Sequence, residues 1–197
     1  MNTTPGEIQD RADMARLAGG DDDALDALMS RHSERLFHYL IRVLHDESEA
    51  ADLAQETFTR VYLNRTKFKS SHRFSTWLYT IATNLARDRQ RWLTRHRQVS
   101  LDASSESQSD LKEILPSQEK SPDETLAQQE RVAAVRTALA ALPEELRLPL
   151  ILAEFEEQSH AEIAFVLDCS AKAVEMRIYR ARQQLRKTLG QLIESEP

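Results

Sequence analysis

The stretch EEQSHAEIAFVLDCSAKAVEMRIYRARQQLRKTL, residues 156–189, decides the fold of the second half of this chain. Ser159 followed by Glu162 has the spacing of a capping box, which predicts that a short helix begins there. The apolar period breaks at residues 168–170, and Ser170 has a side chain suited to capping a second helix. A short helix, a tight turn and a longer basic helix together predict a helix-turn-helix motif.

The periodicity of the same stretch separates an inward face from an outward one. The inward positions are Ile163, Ala164 and Leu167 in the first helix, and Val174, Ile178, Ala181 and Leu185 in the second. An α-helix fits the major groove of DNA, where base edges differ, while flanking Arg and Lys hold phosphates. The candidate DNA-contacting residues are Ser170, Lys172, Glu175, Met176, Arg177, Tyr179 and Arg180. The alternative is an ordinary helical hairpin whose basic side chains are only solvated.

A second informative stretch is HDESEAADLAQETFTRVYLNR, residues 45–65. Asp46 with Glu49 predicts the start of a helix whose acidic first turn suits the positive end of the helix dipole. The apolar residues Leu53, Ala54, Phe58, Val61 and Tyr62 recur at helical spacing and predict a buried face. The exposed side then carries a compact polar strip of Asp52, Gln55, Glu56 and Thr59. On physical grounds alone, this strip also fits a merely solvated face.

The third stretch is FSTWLYTIATNLARD, residues 74–88, which follows a basic segment rich in aromatics. Ser75 is expected to cap a helix, with Phe74 and Tyr79 as a hydrophobic staple. The predicted inward stripe is Trp77 or Leu78, then Ile81, Ala82 and Leu85, and the predicted outward residues are Thr80, Thr83, Asn84, Arg87 and Arg91. Basic side chains interleaved with aromatics suit single-stranded DNA, because cations hold the backbone while bases stack. Core packing is the alternative for Phe74 and Trp77.

The charge distribution supports nucleic-acid binding although the whole chain is acidic, with a net charge of -6. Residues 60–97 contain ten basic residues against one acid, and residues 170–190 contain six against one. The rest of the chain is therefore strongly acidic. Free duplex DNA would repel such a chain as a whole, but its two basic patches are separate candidates for contact.

Composition predicts an all-α protein of two small domains. Only 4 Gly and 6 Pro punctuate 197 residues, and the single Cys169 cannot form an internal disulfide. The predicted organisation is an N-terminal lead-in at 1–25 that is flexible or weakly helical, a helical domain at 26–97, an acidic flexible linker at 98–129, and a second helical domain at 130–192. No signal peptide or membrane span is expected, and a cytoplasmic location follows.

Both domains resemble the sigma-70 family of RNA polymerase sigma factors, in its extracytoplasmic-function group. Residues 142–186 resemble region four, with Leu142-Pro143, Glu162-Ile163-Ala164 and Arg180-Ala181-Arg182 at the expected places. The usual Gly-Thr is replaced by Lys172-Ala173, and the usual basic-Ser pair by Glu175-Met176. The string DLAQETFTRVYL, residues 52–63, resembles the region-two helix that grips polymerase, and residues 74–88 resemble the segment that melts the minus-ten element.

This resemblance implies an alternative sigma factor that recognises and opens promoter DNA. Region four would bind the minus-thirty-five element through the seven residues given above. The strip Asp52, Gln55, Glu56 and Thr59 would contact the clamp helices of the polymerase's largest subunit. Minus-ten DNA would be held by Arg73, Phe74, Trp77, Asn84, Arg87 and Arg91. Further implied partners are the flap of the second-largest subunit and an anti-sigma factor.

Three other functional interpretations compete with a sigma factor. An enzyme is disfavoured because the chain has no Gly-rich phosphate loop and no metal-spaced His or Cys cluster, so neither catalytic residue, cofactor nor metal is expected. A stand-alone helix-turn-helix regulator is disfavoured by the polar strip of residues 52–59. A sigma-like mimic that only sequesters an anti-sigma factor is disfavoured by the basic residues and Asn84.

Overall fold

The computed structural model describes residues 4–99 and 122–194, with side chains described for 4–96 and 131–190. Within these ranges the chain forms eight α-helices and one short 3-10 helix, and no strand. The all-α prediction is confirmed. Of the helices described, none has both the length and the apolar character needed to cross a bilayer.

The first domain is built from four helices. They are α1 (Pro5–Ala18), α2 (Asp23–Leu44), α3 (Glu47–Leu63) and α4 (Phe74–Val99), with a 3-10 helix at Arg65–Lys67 between the last two. The Asp46 side chain accepts from the Glu49 amide at 2.9 Å, so the predicted cap of α3 is confirmed. The predicted cap at Ser75 is wrong: α4 already begins at Phe74, and the Trp77 amide donates to the Arg73 carbonyl.

Helix α1 differs from the flexible or weakly helical lead-in expected at residues 1–25. Thr4 and Glu7 form a capping box at its start, and Met14 and Leu17 are fully buried. Its two buried acids, Asp10 and Asp13, form ion pairs with Arg31 of α2, and Asp10 also lies 2.9 Å from His32 Nε2. The sequence pattern missed this helix because half of its buried face is polar, so the apolar period is weak.

The core of the first domain lies between α2, α3 and α4. Leu53, Phe58 and Val61 of α3 are buried as predicted, whereas Ala54 and Tyr62 are only partly buried. Leu78, Ala82 and Leu85 form the inward stripe of α4, with Trp77 and Ile81 at its edge. Thr83 was expected to face outward and is instead fully buried, where its hydroxyl lies 2.7 Å from the Tyr39 hydroxyl.

The second domain contains α5 (Pro122–Ala140), α6 (Glu144–Glu154), α7 (His160–Leu167) and α8 (Ala171–Glu194). The capping box of Ser159 and Glu162 starts α7 as predicted. Asp168 ends α7 in the left-handed conformation with φ 51°, and the Ser170 hydroxyl accepts from the Ala173 amide at 3.1 Å to cap α8. The helix-turn-helix is confirmed.

The inward face of the motif is apolar as expected. Ile163, Leu167, Val174, Ile178 and Ala181 are buried, and Ala164 and Leu185 pack against them with partial exposure. Most of the linker expected at 98–129 lies outside the described residues. At its two ends, however, α4 continues to Val99 and α5 begins at Pro122.

Candidate nucleic-acid interface

The polar strip of residues 52–59 lies on the outer side of α3. Asp52, Gln55 and Thr59 are exposed, and Glu56 is half-exposed. The Glu56 carboxylate accepts from Arg60 Nε at 2.8 Å, an exposed pair one helical turn apart. Such a pair contributes little to stability, about 0.3–0.5 kcal/mol. The strip is therefore accessible to a partner and is not needed to hold the fold.

The outer side of α4 brings together most of the residues assigned to minus-ten DNA. Asn84 and Arg91 are exposed, while Arg73 and Arg87 are half-buried. Trp77 is half-buried and lies beside Phe68, with 5.4 Å between ring centroids.

Phe74 does not belong to this surface. It is 1% exposed and packs edge-on against His32 and Phe68. A nucleotide base could not reach its ring, so its assignment as a DNA contact is wrong. The residue starts α4 in the core, where it anchors the helix against α2 and the preceding loop.

Trp92 is an exposed aromatic that the sequence pattern did not single out. It is 43% exposed, stacks on His96 at 4.0 Å, and carries the Arg89 guanidinium 5.0 Å from its ring centroid. An aromatic ring flanked by arginines suits a stacked base. The signal available in the sequence was its position in the Arg-rich end of α4, beyond the quoted motif.

The recognition helix α8 presents its predicted residues to solvent. Lys172, Glu175, Met176, Tyr179 and Arg180 are exposed, and Arg177 is half-buried. Lys172 Nζ lies 2.9 Å from a Glu175 carboxylate oxygen, and its hydrogen bond lowers the pKa of Glu175. Glu175 is therefore a charged acceptor, the form that suits a cytosine amino group. Farther along α8, a surface cleft is lined by Arg180, Gln183, Gln184, Arg186 and Lys187.

The two domains contact each other through α4 and α2 of the first domain. Helix α7 packs against α4, and α6 packs against α2. Arg87 Nε donates to Glu144 Oε1 at 3.0 Å, and Arg73 Nη1 donates to Glu162 Oε1 at 3.3 Å. Thr76 also donates to the side chain of Gln158 at 3.0 Å. Of the arginines assigned to DNA, Arg87 is thus paired with an acid of the second domain, and Arg73 is shared between Glu162 of the second domain and Glu7 of α1.

Glu156 lies at the centre of this contact and is only 3% exposed. Its carboxylate accepts a short hydrogen bond from the Tyr79 hydroxyl and lies 3.4 Å from Arg42 Nη1 and 3.7 Å from Arg35 Nε. Burial raises the pKa of Glu156, opposed by the Tyr79 hydrogen bond and the two arginines. Burial, followed by the nearby carboxylate, also raises the pKa of Tyr79, which stays a neutral donor.

A further polar contact joins the end of α2 to α6. Arg147 Nη1 lies 3.2 Å from His45 Nε2 and also donates to the Ala140 carbonyl. Burial and the charge of Arg147 lower the pKa of His45, so the imidazole is a neutral acceptor. Across the described side chains, no cluster of three or more His, Cys, Asp or Glu could hold a metal ion.

Comparison with known proteins decides the family. A family model for sigma-70 region 2 matches residues 28–96, and one for sigma-70 region 4 matches residues 133–185. The chain is 35% identical to the RNA polymerase sigma-H factor of Pseudomonas aeruginosa, over 94% of this chain and 96% of that protein. It is 30% identical to the extracytoplasmic-function (ECF) sigma factor SigW of Bacillus subtilis, over 88% and 92%. The chain belongs to the sigma-70 family, in its ECF group.

Two solved structures share the fold of this sigma factor. The sigma factor RpoE of Bartonella quintana, solved with the anti-sigma factor NepR, matches with a TM-score of 0.69 and 24% identity, covering 86% of this chain and 98% of that one. CnrH, solved with the cytosolic domain of CnrY, matches with a TM-score of 0.68 and 25% identity, covering 96% and 99%. Family membership makes this chain an alternative sigma factor for transcription initiation, and helices α1–α4 and α5–α8 are called region 2 and region 4 below.

Proposed function

We propose that this sigma factor binds core polymerase through the α3 strip and holds two promoter elements with α4 and α8. The observation that carries the proposal is the presence in one chain of an exposed acid and amide strip and two exposed basic helices. The strip is the part that a stand-alone DNA-binding regulator does not need. Its Asp52, Gln55, Glu56 and Thr59 would contact the clamp helices of the largest subunit, and region 4 would contact the flap of the second-largest.

The outer face of α4 is proposed to hold the unpaired minus-ten strand. Asn84 offers an amide that can both donate to and accept from a base edge. Arg73, Arg87 and Arg91 supply cations for the phosphates, and Trp77 and Trp92 supply aromatic surface. Phe74 supports this face from the core and makes no contact with DNA.

The exposed side of α8 is proposed to enter the major groove at the minus-thirty-five element. Lys172, Met176, Tyr179 and Arg180 would meet the groove, with Ser170 at the helix start, Glu175 facing a base edge and Arg177 at the margin. The cleft that includes Arg186 and Lys187 extends the basic surface beyond the helix start and would suit phosphates.

The remaining parts of the proposal follow from family membership. The conserved part of region 2 would span residues 26–97, within the α1–α4 domain, and region 4 residues 130–192, joined by a linker at 98–129. The sigma factor itself would catalyse nothing, since phosphodiester bond formation belongs to the polymerase, and it would act in the cytoplasm. An anti-sigma factor would control it, as the anti-sigma factor NepR is bound to the sigma factor RpoE in one of the two similar structures.

Run-off transcription tests the proposal. Purified core polymerase is supplied with a library of genomic promoter fragments, with and without this protein. The proposed function requires discrete transcripts that depend on the added chain. A chain that binds DNA but yields no such transcript would be a stand-alone regulator.

A further inference from the structure

Region 4 places acids directly on the basic face of region 2. Arg73 lies just before α4 and Tyr79 and Arg87 lie along it, and each contacts a carboxylate of region 4. The acids come from three places: Glu162 in α7, Glu156 in the loop after α6, and Glu144 at the start of α6. Residues 73–87 span about 21 Å of helix at 1.5 Å per residue. The acids thus engage two of the arginines assigned to the minus-ten strand, Arg73 and Arg87, and the buried Tyr79 between them.

The buried position of Glu156 makes this contact specific. A carboxylate removed from water is costly unless it is paired and hydrogen-bonded. Glu156 finds its partners, Tyr79, Arg35 and Arg42, in region 2. Gln158 is buried beside it and receives a hydrogen bond from Thr76. Because partners in region 2 satisfy these buried polar groups of region 4, the contact is a specific interface between the two domains.

The same arrangement leaves the other two candidate surfaces open. Asp52, Gln55 and Thr59 remain exposed on α3, and Lys172, Tyr179 and Arg180 remain exposed on α8. Docking of region 4 therefore occupies Arg73 and Arg87 of the minus-ten face, leaves Asn84 and Arg91 exposed, and covers neither the polymerase strip nor the recognition helix. A rim contact between the rings of His72 and Phe165, 4.3 Å apart, closes one edge of the interface.

We propose that the docked arrangement is an autoinhibited state, in which carboxylates of region 4 occupy the positions that DNA phosphates take on the minus-ten face of region 2. The inference rests on the proposed function of that face. Phosphates and carboxylates compete for the same arginines, so minus-ten binding and docking exclude each other. By reciprocal linkage, docking weakens binding of the minus-ten strand by the same factor by which the bound strand weakens docking. Whatever separates the regions therefore raises affinity for the strand. Because the polymerase strip and the recognition helix stay exposed, polymerase and the minus-thirty-five element can bind before the two regions separate.

Charge reversal at α6 tests the interface with a matched control. Glu144→Lys places a cation against Arg87, whereas Glu145→Lys makes the same charge change at the next residue, which is exposed. Both variants lose an acid from the first turn of α6, so the cost to the helix is comparable. Domain separation is measured by energy transfer between dyes on Leu63→Cys and Lys187→Cys, with Cys169→Ser to remove the native thiol. DNA binding is measured by the anisotropy of a fluorescein-labelled single-stranded DNA of randomised sequence.

The expected result is a change of energy transfer and a gain of at least about fivefold in single-strand affinity for Glu144→Lys over Glu145→Lys, the lower end of usual coupling between sites. Equal energy transfer and equal affinity in the two variants would overturn the inference. Equal affinity despite a change of energy transfer would also overturn it, because docking would then not compete with DNA.

A locked variant gives an independent test that does not rely on destabilising the interface. His72→Cys with Phe165→Cys, also in the Cys169→Ser background, is joined by a short bismaleimide across the rim. The joined monomer should bind core polymerase normally and bind the single strand at least about fivefold more weakly than the same protein before joining. Unchanged single-strand binding after joining would overturn the inference. Run-off transcription by the wild-type chain remains the separate test of the proposed function. If it succeeds while the charge-reversal or the cross-linking test is negative, autoinhibition is rejected and the proposed function stands.

Discussion

The Arg87 guanidinium in α4 and the Glu144 carboxylate in α6 form an ion pair between regions 2 and 4, with 3.0 Å from Nε to Oε1. Arg87 therefore has two candidate partners, an acid of its own chain and a phosphate of DNA. It is half-buried by this contact, whereas Asn84, one turn earlier on the same helix, is exposed. The two residues are expected to differ in their roles before DNA is bound and to act together afterwards.

Replacing Asn84 or Arg87 by Ala is expected to impair promoter opening more than assembly with core polymerase. Both lie on the outer face of α4, away from the α3 strip. Permanganate footprinting of unpaired thymines in the open complex measures the effect. Arg131→Ala, which removes an exposed arginine from α5, serves as the control. Normal thymine reactivity in both α4 variants would remove these residues from the minus-ten site.

The double substitution of Asp52 and Glu56 by Ala is expected to abolish core binding while leaving the fold intact. Surface changes of this kind typically alter the free energy of unfolding by less than about 0.5 kcal/mol. Core affinity is measured by fluorescence anisotropy and stability by thermal melting. The matched control, Asp26→Ala with Glu34→Ala, removes two exposed acids from α2. A folded double mutant with normal core affinity would show that polymerase binds another face.

Phe74→Ala is expected to reduce the free energy of unfolding by about 3–5 kcal/mol, because it leaves a cavity in the core. The ring is buried against Phe68 and lies 6.3 Å from Trp77, so unfolding in urea can be followed by tryptophan fluorescence. Leu63→Ala, at a residue that is 66% exposed, should change stability by less than about 0.5 kcal/mol. A stable Phe74→Ala protein with lost DNA binding would return this residue to the DNA interface.

Acid is expected to loosen α1 through Asp13. Burial acts to raise the pKa of Asp13, but hydrogen bonds from Arg31 and Gln9 and the charge of Arg31 bring it below its usual value of 3.8. A carboxylate with a lowered folded-state pKa contributes stability that is present above the unfolded pKa and lost as pH falls through the folded pKa. Stability should therefore decline below about pH 4 with an Asp13 component.

The matched variant for this effect is Asp13→Asn, which keeps the shape of the side chain and removes its charge. Unfolding in urea is measured at pH 7 and at steps down to pH 3. The variant should be less stable than the wild type at pH 7, and the difference should shrink as the pH falls. A difference that stays constant over this range would mean that the charge of Asp13 does not stabilise the fold.

Local sequence patterns were sufficient for the helix-turn-helix and for the buried face of α3. A capping box, a hydroxyl cap and a 3.6-residue apolar period act over a few neighbouring residues, so they can be read directly from Ser159, Ser170 and Leu53. Thr83 and Phe74 could not be assigned this way. A threonine in a helix has no fixed preference for burial, and Thr83 is accommodated inside because its hydroxyl contacts the Tyr39 hydroxyl and donates to the Tyr79 carbonyl.

The sequence by itself determined the helical content, the two-domain order, the basic patches and the exposed strip of residues 52–59, because each depends on composition or on local periodicity. Only the tertiary structure decided that α1 joins the core and that Glu144, Glu156 and Glu162 lie on the face of α4. These acids stand 57 to 89 residues away from their partners Arg87, Tyr79 and Arg73. A charged residue in a sequence does not reveal its partner, since ion pairs across domains depend on how the helices pack and not on spacing along the chain.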